Sequence, residues 1–377
     1  MTVYPKFMKQ IGKQNKTVPP LASDERLKKR GEGTVRGLLV IRLSAMGDVA
    51  MTVPVLSAFT AQYPDVKITV LTRSFFRPMF SQLSNVSVFE ADVKGRHKGA
   101  FGLWKLYKEL IALNIDAVAD LHNVLRSKVL KRYFRFGRIP VAQIDKGRSE
   151  KKSLTATSNK VFEPLRSTHQ RYAEVFAALG FPLDLSKARP LSKEKRSEKT
   201  IEMIGSDAKK WLGIAPFAAY EGKMYPLVLM EKVIAALDSS NNYKILLFGG
   251  GKTERQQLVE SEAKFDNCIN VVGKLSFSEE LALISNLDGM LSMDSGNGHL
   301  AAMYGIPVIT LWGVTHPYAG FSPYGQDAST ALYADREKYP LIPTSVYGSK
   351  MPEGYEKAME TIAPEDVVRK IEEVLKR

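Results

Sequence analysis

Residues 293–313 read MDSGNGHLAAMYGIPVITLWG and predict the end of a strand, a tight turn, a short helix and a second strand. The predicted turn contains Asp-Ser-Gly at 294–296, and the predicted helix covers residues 299–305, where glycine and then proline end it. The N–H groups at the start of such a helix face small residues and favour an anion, most naturally a phosphate. The same sequence is also consistent with an ordinary strand–helix turn of a parallel sheet that binds no anion.

Apolar strands alternate with amphipathic helices on the N-terminal side of this stretch. The strand GLLVIRL at 37–43 precedes a helix that contains Pro54, and WLGIAPF at 211–217 opens a second series. The alternation predicts an α/β fold of two Rossmann-like, doubly wound sheets that face a cleft. The chain has no GxGxxG and no P-loop motif, so the usual dinucleotide and nucleoside-triphosphate signatures are missing.

A charged, proline-containing stretch at 186–200 marks a boundary between two domains. We predict a basic N-terminal arm at 1–34, a first Rossmann-like domain at 35–195 and a second at 196–350. Residues 351–377 contain a predicted C-terminal helix, and a return of this helix to the first domain stays open.

The charge of the chain is unevenly distributed. The net charge is +14, yet residues 1–200 hold 37 Lys and Arg against 17 Asp and Glu, while residues 201–377 hold 17 against 23. The first half is therefore expected to meet an anion, which leaves nucleic acid, an anionic membrane surface and a phosphorylated or carboxylated substrate. The lone Cys268 and the lack of a long apolar run favour a cytoplasmic protein.

The segment SAMGD at 44–48 follows the first predicted strand, so it faces the predicted cleft. Asp48 at the start of the next helix can act as a general base, or it can cap that helix. The local sequence alone favours the cap.

Three further segments carry candidate binding residues. Lys223, in a glycine-flanked loop, suits a phosphate, and Glu254, after three glycines at a strand end, suits sugar hydroxyls or a helix cap. The stretch 120–138 contains His122 and Arg126 among further basic and aromatic residues, which fits an anionic substrate, RNA or a solvated helix. A metal site is not expected, because the five histidines are scattered and no DxD or Cys/His cluster occurs.

Taken together, these motifs resemble glycosyltransferase family 9, the heptosyltransferases of lipopolysaccharide core assembly. The resemblance rests on SAMGDVAMTVPVL at 44–56, DLHNVLRS at 120–127, APFAAYEGKMYP at 215–226 and the long block at 293–325 that ends in PYG. It implies a fold of the GT-B type, with an acceptor-binding first domain and a second domain that binds a nucleotide-sugar, usually ADP-heptose.

The resemblance also implies roles for individual residues. Asp48 becomes the base that deprotonates the acceptor hydroxyl in an inverting displacement, with no cofactor and no metal. The donor-binding residues implied are Ala218, Ala219, Lys223, Gly249, Gly250, Glu254, Asp294, Ser295, Gly296 and His299. The acceptor-binding residues implied are Ser44, Gly47, His122, Arg126, His169 and Arg171.

The expected partners are the nucleotide-sugar, a lipid A-core or related anionic glycolipid, and the inner face of the cytoplasmic membrane. Nucleic acid is not the expected partner, and a monomer is expected. Tyr225 replaces the family's usual Trp, and Ala218 and Ala219 lack the hydroxyls of many relatives, which leaves the exact donor open. The alternatives are another nucleotide-sugar donor, a UDP-sugar 2-epimerase and a non-catalytic nucleotide-sugar or nucleic-acid binding module.

Overall fold

The computed structural model describes residues 35–205 and 207–376. Within these ranges the chain forms two parallel β-sheets with helices packed against them. The prediction of two Rossmann-like α/β units is therefore confirmed. The predicted basic arm at 1–34 lies outside the described residues.

The first sheet has the strand order β3-β2-β1-β4-β5, and every neighbouring pair is parallel. Its strands are β1 Gly37–Ile41, β2 Lys67–Thr72, β3 Val86–Glu90, β4 Ala117–Asp120 and β5 Val141–Gln143. The central strand β1 is apolar throughout and buried, as a strand covered on both faces must be. The carboxyl ends of β1 and β4 are neighbours, so the segments that follow them share one edge of the sheet.

Helices cover this sheet in two groups. They are α1 Met46–Ala50, α2 Thr52–Gln62, α3 Gly99–Ile111, α4 Leu125–Phe136, α5 Arg148–Leu154 and α6 Thr168–Ala177. Helix α7 Glu198–Ile204 follows them and contacts the second unit, since the Ile204 carbonyl accepts from Lys244 Nζ of the second sheet. Helices α3 and α4 bury their apolar faces in one core with Leu39 and Ile41 of β1. Helices α2 and α6 meet through the rings of Phe59 and Phe176, whose centroids are 5.2 Å apart.

The second sheet has the order β11-β10-β9-β6-β7-β8 and is also parallel. Its strands are β6 Lys210–Ala215, β7 Tyr243–Leu247, β8 Cys268–Asn270, β9 Gly289–Met293, β10 Val308–Trp312 and β11 Ala331–Tyr333. Its helices are α8 Leu227–Ser239, α9 Gly251–Glu262, α10 Phe277–Ile284, α11 Gly296–Met303 and α12 Pro364–Leu375. The carboxyl ends of β6, β7 and β9 lie side by side, and the predicted donor segments follow them.

The terminal helix α12 packs against α8 and β9 of the second sheet. Val367, Ile371 and Leu375 are buried in the core of that sheet, because they share one face of the helix. The main packing of the C-terminal helix is therefore within the second unit, and a return to the first unit stays a prediction.

Several sequence-based boundaries are correct and others shift. The capping box that was predicted to open α10 is present, since Ser276 N–H donates to Glu279 Oε2 at 2.8 Å and Glu279 N–H donates to Ser276 Oγ at 3.3 Å. The helix predicted at 299–305 instead spans Gly296–Met303, and Gly305 follows it at φ +71°. The short strands β5 and β11 were not predicted, because three residues carry too little periodicity.

A partly buried ammonium joins the region after α5 to a late segment of the chain. Lys160 Nζ donates to the carbonyl oxygens of Leu154, Leu341 and Pro343 at 3.0, 2.9 and 2.8 Å. Because an ammonium has three protons, these contacts use all of its donor capacity.

Among the described residues, the structure contains no helix that is long and apolar enough to cross a membrane.

The packing of α12 against β9 can be tested at Gly289. A Cβ atom there would lie 2.6 Å from Leu375 Cδ2, so Gly289→Val should overpack the contact and destabilise the fold by about 1–3 kcal/mol in urea denaturation. Gly250→Ala is the control, because a Cβ at Gly250 meets nothing within 4 Å. Leu375→Ala should restore part of the loss, and unchanged stability of Gly289→Val would contradict this packing.

Candidate functional site

The first half of the site is the turn after β1. Asp48 lies in the first turn of α1, where its Oδ2 accepts the Ala45 N–H at 3.2 Å and forms an ion pair with Arg42. Arg42 is buried and also donates to the Leu121 carbonyl at 2.6 Å, which fixes the guanidinium between β1 and β4. Asp48 is thus the third residue of the helix and accepts the N–H of the N-cap residue Ala45, so it is not itself the N-cap that the local sequence favoured. A cation holds the carboxylate as well.

His122 stands beside this turn at the end of β4. Its Nδ1 is 3.4 Å from the Leu43 N–H, and its Nε2 is 3.5 Å from Ser44 Oγ. Burial, helped by the charges of Arg42 and Lys146, lowers the pKa of His122 to about 4. The imidazole is therefore neutral near pH 7 and can exchange a hydrogen bond without adding charge.

The second half of the site is the turn after β9. Lys223 Nζ lies 2.9 Å from Asp294 Oδ2, and Thr315 Oγ1 donates to the same oxygen at 2.9 Å. Both charged side chains are largely buried, so each holds the other at the carboxyl edge of the second sheet. The structure thus brings together two of the predicted donor residues that lie 71 positions apart in the chain.

The two halves meet where α1 packs against α11. A Cβ atom on Gly47 would lie 3.0 Å from His299 Cδ2 and 3.3 Å from Gly296 Cα. A Cβ atom on Gly296 would lie 2.6 Å from Met46 Cε. Glycine at both positions therefore lets the helix that carries Asp48 approach the start of α11.

His299 occupies the interior of this junction. It is buried, and its Nδ1 has no hydrogen-bond partner among the described residues. Burial lowers its pKa to about 4, although the nearby charges of Asp294 and Asp48 act in the opposite direction. Ser295, the residue before α11, likewise has a buried hydroxyl that is unpartnered in the described part of the chain.

A cavity of about 220 Å³ opens beside Asp48. Arg42, Lys146 and Lys151 line it and give it an excess of positive charge. Burial lowers the pKa of Lys151 to about 8, and its ammonium lies 4.1 Å from the ring centroid of Phe321. Sequence reasoning missed Lys146 and Lys151, which belong to no motif; the only signal was the lysine-rich composition of 146–152.

A larger cavity of about 500 Å³ adjoins it, since Ser44 and His122 line both. Its other lining residues include Arg126, one of the predicted acceptor residues, with Arg73, Lys94 and Arg96 and the carboxylates of Glu90 and Asp92. The basic first half of the sequence thus supplies much of the charge around these openings.

Two predicted acceptor residues are less available for a ligand. His169 is buried beside the Tyr324 ring, with centroids 5.1 Å apart, and it lines neither cavity. Arg171 lines the smaller cavity, but its guanidinium is paired with Glu150 at 2.6 Å. A Cβ at Gly147 would collide with that guanidinium, which shows how closely the backbone covers it.

The predicted donor loops lie along the edge of the second sheet. Ala218 is partly buried against the core of this sheet, and Ala219 is exposed. Glu254 Oε2 accepts the Gly250 N–H at 2.6 Å, so this carboxylate closes the Gly249–Gly250 turn in the structure. The capping alternative for Glu254 is therefore present.

Tyr225 does not line an open site. It is buried in the core, and its hydroxyl donates to the Ile362 carbonyl at 2.7 Å. The described residues contain no group of three His, Cys, Asp or Glu side chains placed to hold a metal ion.

Comparison with known proteins identifies relatives of the whole architecture. Residues 103–344 match the model of glycosyltransferase family 9 (heptosyltransferase). Lipooligosaccharide heptosyltransferase 2 of Haemophilus influenzae is 27% identical over 360 residues, which cover 90% of this chain and 99% of that protein.

Solved structures share the fold. The family 9 glycosyl transferase of Veillonella parvula superposes with a TM-score of 0.71 at 21% identity, over 92% of this chain and 98% of its own. ADP-heptose lipopolysaccharide heptosyltransferase II of Escherichia coli gives 0.64 at 20% identity, over 90% and 98%. The fold is therefore of the GT-B type shared by these enzymes.

The Lys223–Asp294 pair predicts strong coupling in stability. Lys223→Met leaves a largely buried carboxylate without its cation and should cost about 2–4 kcal/mol in urea denaturation. Adding Asp294→Asn should recover a large part of that loss, because the amide still accepts from Thr315. Additive effects of the two changes would show that the pair does not act as a unit.

Proposed function

The chain belongs to glycosyltransferase family 9, the heptosyltransferases, and we propose which substrates it uses. In this proposal it transfers heptose from ADP-heptose to an anionic inner-core acceptor of lipopolysaccharide. The observation that carries the proposal is the junction of α1 and α11. It sets the carboxylate of Asp48, from the first unit, against the start of a helix whose turn holds Lys223 and Asp294. The side with Asp48 can bind an acceptor hydroxyl, and the start of α11 can bind a diphosphate.

The donor diphosphate fits the start of α11. The first N–H groups of this eight-residue helix are directed at the turn, where an anion is stabilised by the helix dipole. The unpartnered Ser295 hydroxyl can donate to a phosphate oxygen, and Lys223 supplies the counter-charge. Asp294 holds the ammonium of Lys223 in place, and Thr315 holds Asp294. Ala218 and Ala219 offer backbone N–H groups alone.

Asp48 is the proposed general base. The acceptor hydroxyl oxygen attacks the anomeric carbon of the heptose while the bond from that carbon to the β-phosphate oxygen breaks. The hydroxyl proton passes to Asp48, and ADP leaves with the electron pair of the broken bond. One such in-line step inverts the anomeric configuration, and stabilisation of the departing diphosphate supplies much of the rate.

The acceptor is proposed to enter through the two joined cavities. Arg126, with Ser44 and the neutral His122, lines the larger one, and Lys146 and Lys151 line the smaller one beside Asp48. These cations match phosphate or carboxylate groups on an inner-core saccharide. Because such an acceptor is anchored in lipid, we place the enzyme at the inner face of the cytoplasmic membrane.

Replacing the base should separate binding from turnover. Asp48→Asn should retain ADP-heptose affinity but lose transfer by roughly two to four orders of magnitude, the range for a general base. Coupled detection of released ADP, with and without the lipid acceptor, measures the rate. Ser186→Ala, an exposed change in the linking segment, is the matched control. Full transfer by Asp48→Asn would remove the assigned role.

Donor recognition should depend on Lys223. Titration with ADP-, GDP- and UDP-sugars should raise the melting temperature of the native protein with the ADP-sugar in preference to the others. Lys223→Ala should weaken that shift, whereas Lys232→Ala on α8, an exposed lysine outside the site, should leave it unchanged. A preference for UDP- or GDP-sugars would show that the donor is not an ADP-sugar. Equal shifts in the two variants would exclude a contact between Lys223 and the donor phosphates.

The basic lining of the smaller cavity predicts a pH dependence. Lys151 has a pKa of about 8, so it carries its charge below that pH and loses it as the pH rises. The KM for the acceptor should therefore increase between about pH 7 and 9. Lys151→Arg should remove this rise, because arginine stays charged. An acceptor KM that is independent of pH in the native enzyme would show that Lys151 does not face the anion.

A further inference from the structure

Helices α3 and α4 form a continuous outer layer on one face of the first sheet. Both bury residues in the core that contains β1 and β4. They also contact each other directly, since the ring of Tyr133 on α4 lies 5.1 Å from Trp104 and 5.6 Å from Tyr107 on α3. Their opposite faces therefore point away from the sheet together.

That outward layer, here called the α3/α4 face, exposes large apolar side chains. Phe101 is 92% exposed, Phe136 is 86% exposed and Leu125 is 80% exposed. Trp104 is about half exposed between them. Side chains of this size are normally buried, so their grouping on two adjacent helices marks an interaction surface.

The same face is strongly basic. Its exposed cationic residues are Lys105, Lys108, Lys128, Arg132 and Arg135. Glu109 is the only acidic residue in the two helices, and it is already paired with Arg96 and His97. Positive charge on this face is thus uncompensated by its own helices.

We propose that the α3/α4 face docks on the surface of an anionic phospholipid bilayer. Aromatic and aliphatic side chains between lysines and arginines suit the boundary between headgroups and acyl chains, where the cations meet lipid phosphates. This inference rests on the proposed function, because a lipid-anchored acceptor brings the enzyme to that boundary. An RNA partner would use the cations and the aromatic rings but gives Leu125 no role.

The position of the face supports the proposal. Arg126, in the first turn of α4, lines the larger cavity, and so does Arg96, which precedes α3. The surface and the cavity are therefore built from the same two segments. The larger cavity adjoins the smaller one that Asp48 lines, so both open next to the proposed membrane surface.

Trp104 provides a direct readout in the full-length protein. The other two tryptophans, Trp211 and Trp312, are 8% and 1% exposed, so bilayer contact changes the emission of Trp104 above all. Vesicles of phosphatidylglycerol and phosphatidylethanolamine should shift this emission to the blue, and brominated lipids should quench it. Vesicles of phosphatidylcholine alone should do neither.

Charge and apolar contact are tested separately by co-sedimentation with the anionic vesicles. Lys128→Glu/Arg132→Glu/Arg135→Glu should weaken binding about tenfold or more. Lys195→Glu/Lys232→Glu/Lys357→Glu makes the same change in charge at exposed sites outside the face and should bind nearly as well as the native chain. Phe101→Ser/Phe136→Ser should also weaken binding, whereas Val228→Ser/Val259→Ser is the matched apolar control.

Equal loss in face and control variants would overturn the proposal, as would unquenched Trp104 on bound protein. Binding of RNA in preference to the vesicles at the same salt concentration would overturn it as well. Transfer to an acceptor saccharide stripped of its lipid should survive the face variants. If transfer fails for every acceptor while vesicle binding follows the prediction, the proposed function is wrong and the membrane surface stands.

Discussion

The close contact between α1 and α11, with glycine on both sides, determines what the two sheets can do together. Gly47 and Gly296 remove the side chains that would hold these helices apart. The consequence is electrostatic as well as steric, because Asp48, Asp294 and Lys223 all act on the buried imidazole of His299. Groups contributed by the two sheets thus share one low-dielectric region, where charges interact more strongly than at a surface.

Two ion pairs of different design stand on either side of that contact. The Arg42–Asp48 pair ties a carboxylate to the end of β1, and the Lys223–Asp294 pair closes the turn after β9. Each needs its partner, since an isolated charge in these positions would lack compensation for its lost hydration. The site is consequently ordered by its own charges before any substrate arrives, which is the condition for electrostatic stabilisation of a developing charge.

Much of the fold could be predicted because it depends on local patterns. Runs of apolar residues predicted β1, β6 and β9, and the Ser-x-x-Glu motif predicted the start of α10. The site was predictable only in part. The motif around Asp48 pointed to a turn that lines the smaller cavity, but no pattern in the sequence signals that Lys151 reaches the same cavity from a separate helix. The hydrogen-bond partners of Tyr225 and Glu254 could not be predicted either, because they depend on the tertiary packing of loops.

The Lys160 ammonium joins three backbone carbonyl oxygens from two segments of the chain, as a bound metal cation can do. Unlike a metal cation, it can lose a proton, and burial lowers its pKa from the usual lysine range. A neutral amine has two protons for three oxygens, so one carbonyl is left without its donor. Alkaline conditions should therefore loosen the join between Leu154 and the 341–343 segment, which is a weak point that the proton count of a single amine defines.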